Sequence, residues 1–532
     1  MSLLMYNGKV STLDRHNSQY EAIGIHNGKI TFLGETADAL LLKKDYNDVV
    51  DLKGKLVLPG FNDSHLHVLG YGLTQKMLRL EKCRSIDEII ELGKGHIVKK
   101  GITTDDVLLG RGWNQDLYLN KRVLTRTDLD KISTTVPIIL RRVCGHIAVV
   151  NSVVIERLDL LELLKNENVD LEMGTFEEDA LELLNQLVET PSIDQISESI
   201  LVSCKELLSY GITSVQSDDF SALPEWDYQL VIDAYQRLET SNQLPLRVYH
   251  QSLLPSERSF REFLAKGYKT GVGNEWFKIG PLKLLLDGSL GNRTAKMVEE
   301  YQDIPNNKGT VIYSQNELNR LIQIAVENDT QVAVHAIGDK AIYMTLDAIK
   351  RTQSVQNPLR HGVVHCQITN EEIIKRMSDD NIIAYIQPIF LDYDMGIVEQ
   401  RIGKRRAKET YAFKTMMDKG IHLCGGSDAP VVHFNIFDNI YSAVTRKDLV
   451  GDPEKGWLPK ERLSIDEALR LFTINGAYAS FEEHIKGTLE IGKLGDVVVV
   501  DRDIYTIPED DIRRLKVCYT VVDGKIVYES GV

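Results

Sequence analysis

Val57-Leu58-Pro59-Gly60-Phe61-Asn62-Asp63-Ser64-His65-Leu66-His67 is the stretch from which the fold is read. An apolar run enters Pro-Gly and leaves as an extended segment carrying two histidines two apart. On extended backbone the side chains at i and i+2 project to one side, so His65 and His67 can hold one ion between them. Neutral imidazole is the commonest protein ligand for a catalytic metal. An isolated H-x-H is equally compatible with two hydrogen-bonded histidines, so the decision rests on whether further donors follow at comparable places.

Downstream, strand-like apolar runs alternate with helices that open on capping boxes: Ser85-x-x-Glu88, Ser192-x-x-Gln195, Ser314-x-x-Glu317, Thr369-x-x-Glu372 and Ser464-x-x-Glu467. That alternation implies a parallel sheet. Strand candidates at 56–64, 212–217, 246–253, 277–287, 331–336, 361–366, 382–387 and 421–427 give the count of a (β/α)8 barrel. The expected fold is therefore α/β, a distorted (β/α)8 TIM barrel over residues 58–485. An inserted subdomain is expected at about 70–205, where the spacing far exceeds a loop and a helix. Both ends of the chain are β-prone, with hairpin signals at Asn7-Gly8, Asn27-Gly28 and Asp523-Gly524. Residues 1–57 and 486–532 are expected to build one small β-sandwich domain together.

In a barrel of this kind chemistry gathers at the C-terminal ends of the strands. Candidate donors fall there: His335 after Val332-Ala333-Val334, His365 after Gly362-Val363-Val364, and Asp428 after Leu423-Cys424-Gly425-Gly426-Ser427. An unpaired polar group ending a buried strand costs several kcal/mol, so each of these calls for a partner. In strand four, Lys283 alternates with Leu284 and Leu286, which suit the helix-covered outside, so Lys283 points inward. A buried lysine needs a carboxylate, for which Asp287 and Asp63 are candidates, or a chemical modification to an anionic carbamate. His361 shares parity with His365 and is read as an interior residue nearer the bottom of the barrel.

The order H-x-H, Lys, His, His, Asp on strands one, four, five, six and eight resembles the amidohydrolase superfamily of metal-dependent hydrolases. Whole motifs are similar to the subfamily that includes N-substituted formamide deformylases: Pro59-Gly60-Phe61-x-Asp63-x-His65-x-His67, Gly110-Arg111-Gly112-Trp113, Asp287-Gly288-Ser289-Leu290-Gly291, His335-Ala336-Ile337-Gly338-Asp339 and Gly426-Ser427-Asp428-Ala429-Pro430. The resemblance implies a metal set of His65, His67, Lys283, His335, His365 and Asp428. It implies one or two divalent ions per chain, with zinc the expected metal, and leaves open a CO2-derived carbamate on Lys283. It further implies hydrolysis of a non-peptide C–N bond, of amide or formamide type, by metal-activated hydroxide, with Asp428 as the proton-transferring residue. Trp113, His146 and Arg293 are candidate substrate contacts, each with a packing or surface role as the alternative. A mononuclear deaminase of an amidine-type ring is the second reading, although residues 336–340 lack the glutamate it would require. A non-catalytic scaffold is the third, and the retained donors count against it.

The bulk properties exclude other partners. A formal charge of −15 on 532 residues argues against nucleic acid and anionic membranes, leaving a small-molecule substrate. Six scattered cysteines without C-x-x-C fit reduced thiols, and the N-terminus lacks signal-peptide character, so a cytoplasmic location is expected. A homodimer is left open.

Overall fold

The computed structural model describes residues 2–143, 145, 147–177, 180–224, 226–352 and 357–531. Its central element is an eight-stranded parallel sheet whose strands follow one another in sequence order. They are β1 (Phe61–Leu66), β2 (Ile212–Ser217), β3 (Arg247–Leu253), β4 (Phe277–Leu285), β5 (Val332–Ala336), β6 (Gly362–His365), β7 (Ile383–Ile386) and β8 (Leu423–Gly425). The backbone N–H of Asp428 donates to the His65 carbonyl (2.7 Å) and that of His67 to the Ala429 carbonyl (2.8 Å). The chain leaving β8 thus lies against β1, and the sheet is a nearly closed barrel. All eight strand candidates are present.

One of them is two strands. Leu56–Pro59 pairs with Val497–Val500 and with Lys9–Ser11, whereas Phe61–Leu66 enters the barrel as β1. Gly60 separates the two, and a side chain there would strike Thr213 at 2.3–2.9 Å, which explains why the Pro-Gly turn carries no Cβ.

The termini form two packed sheets. One has the order Lys29–Gly34, Ala22–His26, Ser2–Tyr6, Asp48–Asp51; the other runs Lys525–Glu529, Val517–Val522, Val497–Val500, Leu56–Pro59, Lys9–Ser11, Gln19–Tyr20. Leu3, Met5, Ile23, Ile25, Val57, Val497, Val499 and Val521 fill the space between them. Asn27-Gly28 and Asp523-Gly524 have positive φ at both positions and close tight hairpins. Asn7-Gly8 differs: it carries the chain from one sheet to the other, because Ser2–Tyr6 and Lys9–Ser11 pair with different strands.

The helices start largely where the caps direct. Ser85, Ser314 and Ser464 accept from the backbone three residues on. At 369 the cap moves one residue, with Asn370 accepting from Ile373 N–H while Thr369 donates to the Glu409 carbonyl. A second compact unit comprises Leu69–Ser199 and Ser221–Val231. It has its own six-stranded sheet and an apolar core that includes Leu78, Ile89, Leu108, Trp113, Ile138 and Leu140.

Candidate metal centre

The register across the barrel fixes which residues point inward. Lys283, Ala333, Gly362 and Ile383 are paired in turn; Leu285, His335, Val364, Tyr385 and Cys424 form the next row. Residues in register on adjacent strands share a face. This face is the interior, where Ala333, Val364, Ile383, Tyr385 and Cys424 pack together. Lys283 and His335 are inward, as alternation requires.

Two donor-bearing strands break the alternation. In β1, Asp63 pairs with Val215 but Leu66 with Ser217, so the segment 63–66 opposes the shorter segment 215–217. This bulge reverses the parity. Asn62 faces inward beside Ser214 below it (3.4 Å), and His65 and His67 face inward above it. In β6, Val364 is the inward residue, and His365 reaches the centre only because its backbone turns left-handed (φ 74°). His361 shares parity with outward residues and is not an interior group. Its Nδ1 accepts from Val332 N–H (2.9 Å), and burial pushes its imidazole down to about 3.

The six expected donors are neighbours, and three of them lie within reach of one ion. Asp428 Oδ1 lies 3.3 Å from His65 Nε2 and 3.1 Å from His67 Nε2. Lys283 Nζ lies 3.3 Å from His65 Nε2. The rings of His65 and His365 have centroids 5.6 Å apart, and those of His335 and His365 4.4 Å. Ligand atoms of His65, His365 and Asp428 all fall within 4.8 Å of one another, a grouping able to hold one metal ion.

Each imidazole has one nitrogen tied away from the centre. His65 Nδ1 bonds Gln251 Oε1 (2.8 Å), His365 Nδ1 bonds Gln387 Oε1 (2.7 Å), and His67 Nδ1 bonds the Asp218 carbonyl (2.5 Å). His335 uses Nε2 instead, on the Gly288 carbonyl (3.2 Å). An outer acceptor that fixes the tautomer of a ligating histidine is the usual companion of a bound metal. The donor set therefore fits a divalent ion.

The electrostatics agree. Burial, reinforced by the Lys283 charge, lowers His65 and brings His335 down to about 4; burial also holds His365 well below its usual value. Burial opposes ionisation of Asp428, but the neighbouring His65 and His67 outweigh it and keep the carboxyl well below the usual range. Burial likewise opposes charge on His67, yet Asp428 and Asp218 raise it to about 9. A carboxylate pressed between two imidazoles requires positive charge, which a proton or a metal can supply.

Neither carboxylate expected beside Lys283 is there. Asp287 accepts from the N–H groups of Lys296, Ile337 and Gly338 at 2.8–3.0 Å, and Asp63 accepts from those of His65 and Ser427 at 3.0–3.2 Å. Lys283 instead faces Asp218 Oδ2 at 3.4 Å, both side chains being buried. Asp218 follows β2 directly, so the strand-end logic that found the other donors points to it as well.

The expected substrate contacts fare differently. Trp113 is enclosed in the core of the second unit and its indole N–H donates to the Leu140 carbonyl (2.9 Å), a packing role. Arg293 grips Asp303 at 2.7–3.2 Å. His146 lies outside the described residues.

Over residues 48–528 the sequence matches the amidohydrolase family. The chain belongs to that family. Among amidohydrolase relatives, a Bacillus subtilis (strain 168) protein carrying the name YtcJ is 30% identical, with all of both chains covered. The N-substituted formamide deformylase of Arthrobacter pascens is 25% identical over 99% of this chain and 98% of its own. The crystal structure of an uncharacterized metal-dependent hydrolase from Pyrococcus horikoshii OT3 superposes with a TM-score of 0.80 at 27% identity, covering 96% of this chain and 99% of that one. The protein is accordingly a metal-dependent hydrolase of the amidohydrolase fold.

Proposed function

We propose that this amidohydrolase cleaves a non-peptide C–N bond, of amide or formamide type, in a small-molecule substrate. The observation that carries the reading is the grouping of His65, His365 and Asp428 within reach of one ion, with His67, Lys283 and His335 beside them and each imidazole's remote nitrogen anchored. The likeness to an N-substituted formamide deformylase along nearly the whole chain supports the bond type.

His65, His67, His335, His365 and Asp428 would hold one or two divalent ions, with zinc the metal assigned. Such an ion supplies Lewis acidity and makes water acidic enough to react near neutral pH. Asp428 is kept ionised by its histidine neighbours and so stands ready to accept a proton from the attacking water. It then returns that proton to the departing amine nitrogen, so the products are a carboxylic acid and an amine. Lys283 is assigned either its present partner, Asp218, or a carbamate made with carbon dioxide. The five described cysteines are free and buried, which supports a reducing cytoplasmic setting. Among the described residues no helix is long and apolar enough to cross a membrane.

The test is metal quantification of protein reconstituted with zinc, with and without bicarbonate, followed by a screen of N-formyl and N-acyl amines. Bound metal with release of free amine is the expected result. A metal-loaded protein inactive on all such amines would overturn the bond assignment, and one ion per chain with no bicarbonate effect would remove the carbamate.

A further inference from the structure

The outer partners of the four imidazoles share a property: the nearest acceptor is never a carboxylate, although Asp287 Oδ1 stands behind the Gly288 carbonyl at 3.5 Å from His335 Nε2. Two are backbone carbonyls, and two are the amides of Gln251 and Gln387. We propose that Gln251 and Gln387 are positioning residues that lock His65 and His365 in one tautomer. They present both Nε2 lone pairs to a divalent cation without adding negative charge.

Hydrogen-bond geometry makes the assignment. An amide can turn either its oxygen or its nitrogen toward a ring, and the choice decides which ring nitrogen carries the proton. Here the choice is made by a second contact. Gln251 Nε2 donates to the Ser64 carbonyl (3.1 Å), and Gln387 Nε2 donates to the Tyr385 carbonyl (3.3 Å). A carbonyl only accepts, so each amide nitrogen is committed and each Oε1 faces its ring. Each Nδ1 must then donate, and each Nε2 keeps its lone pair. Of the groups nearest His65 Nε2, Lys283 Nζ at 3.3 Å is a pure donor that suits that assignment, and Asp428 Oδ1, also at 3.3 Å, is an acceptor that suits it with a cation between the two. Both glutamines are buried, so water cannot take over as acceptor. A carboxylate in the same place would also lock the tautomer, but it would make the imidazole a stronger donor and weaken the cation's pull on water.

This inference rests on the metal-centre reading, and the experiment separates the two. Full-length protein is stripped with chelator and titrated with cobalt(II), following the visible absorption of the bound ion; unfolding of the stripped protein is measured in parallel. Wild type, Q387L, Q251L, Q387E and Q251E are compared. The leucine variants should bind cobalt about 10–100-fold more weakly than wild type; the glutamate variants, which keep an acceptor for the ring but set a second oxygen against the Ser64 or Tyr385 carbonyl, should bind clearly more tightly than leucine. Unfolding midpoints of the stripped proteins should stay together. Leucine variants binding like wild type would overturn the proposal, as would glutamate variants losing as much as leucine. Should a leucine variant fail to fold, the glutamate pair decides on the same criterion. A wild type that takes up no cobalt would instead overturn the metal centre itself.

Discussion

Asp428 is held at a positive φ of 61° at the end of β8, with its carboxylate between two imidazoles. An Asp428→Asn variant keeps the shape and removes the proton acceptor. It should lower amine release by about 10²–10⁴-fold, measured at saturating substrate once the screen has supplied one. His361 gives a prediction independent of the reaction. Its folded value, about 3, lies below that of an unfolded histidine, so the unfolded chain takes the proton first. Its contribution is intact above about 6.5, the free histidine value, and is lost as pH falls from there toward 3. His361→Asn, which keeps an acceptor for Val332 N–H, should move the acid-unfolding midpoint to lower pH. An unchanged or higher midpoint would refute it. At this scale the candidate donors are legible because each is a lone ionisable group closing an apolar strand. Asp218 meets the same criterion, whereas the carboxylates of Asp287 and Asp63, the partners expected for Lys283, are occupied by backbone N–H groups. Gln251 and Gln387 gave no signal, since a neutral amide inside a strand looks like any other buried polar residue.

At the scale of elements, the strands were legible and their irregularities were not. Period-two alternation locates Lys283 and His335 correctly because β4 and β5 run in register. It misplaces His361, and it brings His65 and His67 inward only through the bulge in β1, which no residue pattern announces. Bulges and left-handed turns at strand ends are set by how neighbouring strands meet, and they re-aim side chains at functional sites. Barrel closure supplies a further test. A Cβ on Gly426 would lie 2.6 Å from His65 N and 2.9 Å from His65 O, both backbone atoms. Gly426→Ala should therefore push β1 and β8 apart, costing about 1–3 kcal/mol in denaturant unfolding. It should also weaken cobalt binding, because His65 moves with its backbone; stability and binding both at wild-type level would contradict the closure described.

At the scale of the whole chain, the terminal sheets are joined to the barrel by charge as well as by Leu56–Pro59. Arg247 on β3 grips Asp496 through two bonds, 2.7 and 3.1 Å, and Asp496 also accepts from Asp523 N–H (2.9 Å). Both side chains are buried, at 2% and 5% exposure. Asp496→Ala would strand a buried guanidinium and should cost about 3–5 kcal/mol in urea unfolding, against which a loss below 1 kcal/mol would count decisively. The paired β-rich ends made this sandwich visible in the sequence. Most of the long interval after β1 lies in the second compact unit, to which Ser221–Val231 also belongs. Assembly from both ends has a consequence for how the protein is made. Leu56–Pro59 needs Val497–Val500 as a neighbour, and that partner leaves the ribosome more than four hundred residues later. Throughout synthesis the growing polypeptide carries an open strand edge able to pair with any stray segment. Slowed translation of residues 493–532 would prolong that exposure.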